Sequence, residues 1–206
     1  MMSLAEKQKF LFYKLARSCI EKGGPVGSKF LAKKIKNKLS APSLRIYLRK
    51  IAESGYLENV GDFGRLPTDK GWYYYLENYD LKPEIRLRET FDLDETIKLT
   101  KNIFFTFENE LSLRGLKNIL EIEEKEIIGD ILSLVENLEK IIENLEEGLN
   151  VLIGHRLEES KTKKLSLLAY KDKNRTIGFL GSKINYYHTQ LYLLKKLKNE
   201  RGKITN

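Results

Sequence analysis

The spacing of apolar residues predicts three helices in the first 55 residues. An apolar stripe at helical spacing covers residues 10–20 and stops at Gly23. Ser28 is then placed to cap a second, short helix and Ser40 to cap a third, because a serine hydroxyl accepts a hydrogen bond from the free N–H groups of a first helical turn. Gly55 supplies the stop of the third helix. A short turn between two such helices is typical of a helix-turn-helix.

A hairpin and a fourth helix are predicted next. Residues 56–60, YLENV, alternate as a strand does, residues 61–64, GDFG, form a turn, and residues 65–67, RLP, begin the return strand. Thr68 can then cap a helix that is rich in aromatic residues. Three helices followed by a two-stranded hairpin make a winged helix, which we assign to residues 1–79.

The pattern predicts a mixture of helix and strand in the rest of the chain. Residues 94–111 carry a partial apolar stripe at helical spacing, which predicts a helix there. Three buried strands are predicted at residues 150–154, 164–170 and 176–181, and a last helix from about Asn185. The chain is therefore expected to be an α+β protein.

A heptad pattern occupies residues 123–147 and predicts one long helix. A second apolar row beside the first favours packing of this helix against a domain or bundle, and a two-stranded coiled coil is the alternative. We assign the first row to a dimerisation interface. Its residues are Ile127, Ile131, Leu134, Leu138, Ile141 and Leu145.

Composition places the chain among globular proteins. Apolar residues make up 41% of the chain and charged residues 32%. No apolar run approaches the roughly 18 residues of a membrane span, and the N-terminus lacks the pattern of a signal peptide. Cys19 is the only cysteine, so we expect no disulfide, no membrane partner and a cytoplasmic protein with this thiol in its core.

The charge is distributed unevenly along the chain, whose net charge is +8. Residues 1–79 carry 15 Lys and Arg against 7 Asp and Glu, residues 80–149 carry 9 against 18, and residues 150–206 carry 13 against 4. A basic N-terminal domain of this size favours a polyanionic partner.

The sequence offers no catalytic constellation. His155 and His188 have no Cys, Asp or Glu at metal-ligand spacing, and the chain contains no phosphate-binding glycine loop or nucleophile elbow. We therefore expect neither an enzyme nor a metal or other cofactor, and we expect His188 at the surface or in an interface.

The third helix favours a DNA-binding surface. Because Leu44, Leu48 and Ile51 face inward, polar and basic residues fall on the other faces, where a recognition helix contacts base edges and phosphates. Arg45 is the candidate for a guanine or phosphate contact, and Arg65 lies on the hairpin, from which a basic side chain could enter the neighbouring minor groove. The candidate DNA-binding residues are Ser28, Lys36, Lys38, Ser40, Ser43, Arg45, Ile46, Arg49, Lys50 and Arg65.

Two other functions stay open on these residues. A winged helix can use its basic face to bind a protein instead of DNA. The α/β region could also belong to a small-molecule sensor, although no ligand-binding residues can be named for it.

Three stretches carry a family resemblance. They are GGPVGSKFLAKK (23–34), LSAPSLRIYLRKIAESGYLE (39–58) and GRLPTDKGWYYYL (64–76). These three stretches resemble motifs of the HrcA-type heat-inducible transcription repressors, and they occur in the same order and at nearly the same spacing as in that family. LSLLAYKDKNRTIGFLGSKINYYH (165–188) is similar, more weakly, to the end of the GAF-like domain of that family.

The resemblance implies a dimeric repressor that binds double-stranded DNA at an inverted-repeat operator of chaperone genes, with chaperonin as a further partner. Because family members are longer, it also implies that residues 80–206 are a helical linker and a reduced GAF-like α/β domain for dimerisation and regulation. The chain departs from the family at Ile46, where Asn is usual, and at Asp62 and Phe63, where small hydroxyl residues are usual.

Overall fold

The computed structural model describes residues 4–36, 38–78 and 93–199. The chain divides into two compact units, Met1–Asp80 and Leu81–Asn206. Each unit has its own β-sheet, of two strands in the first and of five strands in the second.

The first unit contains three helices, a hairpin and a fourth helix, in the order that the sequence predicts. Leu57 pairs with Pro67 and Val60 with Gly64 across the antiparallel hairpin, and a 3-10 turn, Gly61–Phe63, joins its two strands. The elements are α1 (Glu6–Lys22), α2 (Ser28–Lys34), α3 (Ala41–Glu53), β1 (Leu57–Val60), β2 (Gly64–Pro67) and α4 (Asp69–Asn78).

Side-chain caps fix two of the helix starts, as predicted. The Ser40 hydroxyl accepts a hydrogen bond from the N–H of Ser43 at 3.3 Å. The Thr68 hydroxyl accepts one from the N–H of Gly71 at 3.1 Å and donates one to the carbonyl of Gly55 at 2.7 Å. The prediction for Ser28 is wrong, because Gly27 is the N-cap of α2 and no side chain caps that helix.

Aromatic rings from three elements fill the core of the first unit. Phe12 of α1 lies 5.5 Å from Tyr74 of α4 between ring centroids, and Tyr56 lies 4.8 Å from Tyr74. Trp72 and Tyr75 are fully buried in the same core. Tyr74 of α4 therefore links α1 to the residue that precedes β1, because its ring packs on both Phe12 and Tyr56.

The second unit is an antiparallel sheet with helices. Its elements are α5 (Leu93–Thr100), β3 (Ile103–Phe107), β4 (Leu111–Arg114), α6 (Lys125–Glu136), α7 (Leu138–Glu143), β5 (Gly148–Ile153), β6 (Leu165–Lys171), β7 (Thr176–Ser182) and α8 (Tyr187–Asn199). The strand order in the sheet is β4-β3-β7-β6-β5, and two 3-10 helices, Leu116–Glu121 and Gly154–Arg156, join elements of the unit. The three predicted strands are confirmed as β5, β6 and β7.

The helix predicted at residues 94–111 is wrong beyond Thr100. The run Ile103–Phe107 forms β3, which pairs with β4 on one side and β7 on the other. Ile103, Phe104 and Phe105 are at most 2% exposed. A β-branched and aromatic run that is buried on both faces is typical of an inner strand, and here the pairing overrides the partial helical stripe.

The single helix predicted at residues 123–147 is also wrong, because it is divided at Asn137 into α6 and α7. Both helices pack on the sheet, in one core with Phe105, Leu167 and Leu180. The six residues assigned to dimerisation are only 0–9% exposed and belong to this core, so that assignment is wrong and packing against a domain is confirmed. They are Ile127, Ile131, Leu134, Leu138, Ile141 and Leu145.

The last helix begins at Tyr187, two residues later than predicted. Just before it, the side chains of Asn185 and Asn102 exchange two hydrogen bonds of 2.9 Å, and both residues are buried. His188 is fully buried, so the expectation that it lies at the surface or in an interface of the folded chain is wrong.

Candidate nucleic-acid interface

Helix α3 separates an apolar face from a basic one. Leu44, Leu48 and Ile51 are fully buried. The side chains of the candidate residues Arg45, Ile46, Arg49 and Lys50 are exposed, and Ser43 is half-buried. An apolar stripe at positions i, i+4 and i+7 fixes the rotation of the helix, so the basic side chains necessarily face away from the core.

The N-terminal turn of α3 presents hydroxyl groups at this basic face. The side chains of Ser40 and Ser43 are hydrogen-bonded to each other at 2.9 Å, and Ser40 also caps the helix. Either hydroxyl could donate to a phosphate oxygen, and the unpaired N–H groups of a first helical turn favour an anion in the same place.

Exposed lysines follow α2 toward α3. Lys36 lies in the turn after α2 with a left-handed backbone, φ 54°, and Lys38 lies just before α3; both side chains are exposed. Ser28 is half-buried at the start of α2. Lys34 is already paired with Glu21 of α1 at 2.7 Å, which makes it a weaker candidate for a phosphate contact.

The hairpin is attached directly to the segment between α1 and α2. Val26 and Arg65 exchange two backbone hydrogen bonds of 3.0 Å, and the Cys19 thiol donates to the carbonyl of Arg65 at 3.5 Å. Gly64 has φ 123°, and a Cβ atom at this position would lie 2.4 Å from the carbonyl carbon of Val26. Only glycine allows the two backbones to approach this closely.

This attachment brings Arg65 close to Arg49. Burial and then the positive charge of Arg49 lower the pKa of Arg65. The Nε atom of Arg65 is buried and has no hydrogen-bond acceptor among the described residues. An anion bound at the surface near Arg49 and Arg65 would reduce the repulsion between their two positive charges.

The basic surface is matched by the distribution of charge along the chain. Residues 1–79 carry 15 Lys and Arg against 7 Asp and Glu, and residues 80–206 carry 22 of each, so the whole net charge of +8 falls in the first range. The long-range field of the protein therefore attracts polyanions to the first unit.

Phe63 is a feature of this surface that the sequence did not predict to bind DNA. It ends the turn at the tip of the hairpin, and 74% of it is exposed. An aromatic residue between two glycines of a predicted turn was the available signal, because such a turn has no core to bury the ring.

Other kinds of site find little support. Among residues 4–36, 38–78 and 93–199, no group of three or more His, Cys, Asp or Glu could hold a metal ion. No helix in these ranges is long and apolar enough to span a membrane. Burial raises the pKa of the Cys19 thiol to about 12, as expected for a core residue.

Comparisons with known proteins point to one family. Two relatives are named "Heat-inducible transcription repressor HrcA". The one from Caldanaerobacter subterraneus subsp. tengcongensis is 33% identical over 107 residues, which cover 47% of this chain and 31% of the relative. The one from Thermoanaerobacter pseudethanolicus is 24% identical over 168 residues, which cover 81% of this chain and 40% of the relative. The chain therefore spans less than half the length of these relatives.

A solved structure supports the fold. A hypothetical protein with a crystal structure at 2.2 Å resolution matches this chain over 96% of this chain's length and 97% of its own, with a TM-score of 0.74 and 16% sequence identity.

The family model of the HrcA protein C terminal domain matches residues 77–189. Because this match covers more than half of the 206 residues, the chain belongs to the HrcA family.

Proposed function

We propose that the chain is a DNA-binding transcription repressor of the heat-inducible type. Residues 1–79 act as a winged-helix domain that reads the operator, with α3 in the major groove and the hairpin as its wing. The observation that supports this most strongly is the exposed basic face of α3, whose Arg49 acts electrostatically on the half-buried Arg65 of the hairpin. The match to the Thermoanaerobacter relative covers 168 residues, or 81% of the chain. Because the second unit, Leu81–Asn206, is shorter than that, the match extends into the first unit.

The candidate residues divide into two roles. Arg45 and Ile46, exposed near the N-terminus of α3, contact base edges in the major groove. The basic and hydroxyl side chains around them contact phosphates and fix the register of the protein on the duplex. These phosphate-binding residues are Ser28, Lys36, Lys38, Ser40, Ser43, Arg49, Lys50 and Arg65.

The second unit, as a reduced GAF-like domain, serves dimerisation and regulation in this proposal. One short helix reads only a few base pairs, so an inverted-repeat operator requires two copies related by a two-fold axis. Because the residues of the heptad pattern are buried in the core, the dimer forms through exposed residues of the unit. Chaperone genes as targets and chaperonin as a partner belong to the same proposal, since they rest on the family.

Binding to the upstream region of the chain's own gene tests the proposal. We expect a Kd of about 10⁻⁸ to 10⁻¹¹ M at physiological salt, and a log–log salt slope of about −0.9 for each phosphate contact. The assay is fluorescence anisotropy of a labelled duplex, with a shuffled duplex of equal length as competitor. Affinity equal for the two duplexes would contradict sequence-specific repression.

Variants separate the two roles. Arg45→Ala should reduce the preference for the upstream duplex over the shuffled one by about 1–3 kcal/mol. Lys36→Ala should weaken both duplexes alike and lower the salt slope by about one contact. Lys140→Ala, which removes an exposed lysine from α7 of the second unit, is the charge-matched control and should change neither quantity.

A further inference from the structure

Phe63 exposes more of its surface than any other aromatic residue among residues 4–36, 38–78 and 93–199. It is 74% exposed, compared with 45% for Phe10 and 40% for Phe30. A phenylalanine ring can neither donate nor accept a conventional hydrogen bond, so water gains nothing from this exposure. The ring gains free energy only when a partner covers it.

The hairpin holds this ring at a fixed place. The turn Gly61–Phe63 is three residues long, and the pair Val60–Gly64 closes it. One residue pair from its tip, the two hydrogen bonds between Val26 and Arg65 join the hairpin to the body of the unit. A turn this short, anchored beside its tip, cannot fold back to bury the ring of Phe63.

The neighbouring charges show which partner fits. Arg65 follows Phe63 by two residues, and Arg49 of α3 lies close to Arg65. The ring therefore lies at the edge of a surface that attracts phosphates, where the partner that covers it is a nucleic acid. Asp62, which is exposed beside Phe63, repels phosphate, so it disfavours a contact in which the tip of the hairpin touches only the sugar–phosphate backbone of the DNA.

We propose that Phe63 is a wedge, which enters the minor groove beside the α3 site and inserts partly between two base pairs. Apolar side chains that do this unstack a base step and bend the duplex away from the protein side of the groove. The step that yields most easily is a flexible pyrimidine–purine step such as TA. The inference rests on the proposed function, and it adds that this chain deforms its DNA.

A fluorescent base measures the insertion directly. The probe is an A·T-rich duplex of about 30 base pairs, with 2-aminopurine in place of adenine at its TA steps and a separate label at one end. Anisotropy of the end label reports binding at low salt, and 2-aminopurine emission, which stacking quenches, reports unstacking. The full chain should bind and raise the emission several-fold.

Three variants remove the ring of Phe63, replace it with another apolar side chain, or remove an exposed ring elsewhere in the first unit. Phe63→Ala should still bind at low salt but lose most of the rise in emission, whereas Phe63→Leu should retain it, since leucine also acts as a wedge. Phe10→Ala removes an exposed phenylalanine of α1, and it should behave as the native chain. Energy transfer between dyes on the two ends should show the bend for the native chain and lose it for Phe63→Ala.

Two results would overturn the wedge. If the native chain binds without a rise in emission, or if Phe63→Ala gives the native rise, Phe63 does not insert, even though DNA binding stands. If the native chain binds no duplex at low salt, the proposed function fails as well, and anisotropy distinguishes this from the first two results.

Discussion

Substituting alanine for Gly64 should detach the hairpin from the first unit. The new Cβ atom would lie 2.4 Å from the carbonyl carbon of Val26, 2.5 Å from its oxygen and 2.6 Å from the nitrogen of Gly27. All three are backbone atoms, so no side-chain rotation can relieve the contact. The hairpin has to move away from this segment.

The magnitude follows from what the movement breaks. A non-glycine residue at φ 123° is strained by about 1–3 kcal/mol. The two hydrogen bonds between Val26 and Arg65, both 3.0 Å, contribute about 1 kcal/mol each. We therefore expect a loss of about 3–5 kcal/mol in the free energy of unfolding, which lowers the Tm of a domain of this size by more than about 10 °C.

The assay is urea denaturation followed by the emission of Trp72. It is the only tryptophan of the chain and is fully buried in α4, so it reports the first unit alone. The control is Gly61→Ala, which has φ 51° and no atom within 4 Å of the new Cβ. It should lose only about 1–2 kcal/mol, the cost of the left-handed backbone. Equal losses in the two variants would refute the close approach as the anchor of the hairpin.

Asp130→Asn should lower the free energy of unfolding of the second unit by about 2–4 kcal/mol. The reason is that the Asp130 carboxylate, which is 3% exposed, accepts four hydrogen bonds from Ser160, Lys161 and Thr162. Thermal melts followed by circular dichroism measure the loss. Burial by itself raises the pKa of Asp130, but these hydrogen bonds together lower it. The stability that Asp130 contributes to the folded unit is therefore complete above the unfolded pKa of about 4, and it is lost as the pH falls through the folded pKa. If the native chain and the variant lose stability equally in acid, this reasoning is wrong. Cys19 should react with a thiol reagent only after unfolding, since it is buried and its pKa is about 12; prompt labelling of the folded chain would refute its place in the core. Ile46→Ala should reduce a preference for thymine at one operator position by about fourfold in a selection of bound duplexes, through loss of an apolar contact with the methyl group, and an unchanged selection would argue against that contact.

The first unit follows closely from its sequence because its signals are local. Ser40 and Thr68 cap the helices that begin beside them, and Gly55 has the left-handed φ of 80° that ends α3. The helix-capping contact of each residue lies within about four positions of it, a range that a local sequence pattern covers. Ser28 failed because capping also requires the neighbouring backbone geometry, which Gly27 supplies instead.

The candidate interface was predictable in part for the same reason. The helical period alone places Arg45 and Arg49 opposite Leu44 and Leu48. The proximity of Arg49 to Arg65 is different, because it depends on the close approach of Gly64 to Val26, residues that are 38 positions apart. No periodicity within a helix or a strand records such a contact.

The second unit shows what a local pattern leaves out. Residues 103–107 became an inner strand because they pair with residues 176–180, which lie 69 to 77 positions later. Nothing within residues 94–111 can report this pairing, so the partial helical stripe was the strongest signal left.

The heptad pattern has the same limit, because it led to the prediction of a dimer interface. Apolar residues at alternating spacings of four and three indicate that one face of the helix is apolar, but they do not indicate which part of the protein covers that face. Here the helix is broken at Asn137, and β3, β6 and β7 contribute to the core that covers its apolar face. A side chain that is buried within its own unit has no surface left for a second copy. In the proposed dimer, the contacts between two copies therefore come from side chains that the single chain leaves exposed, and substitutions along the heptad row would unfold the unit before they could separate the two copies.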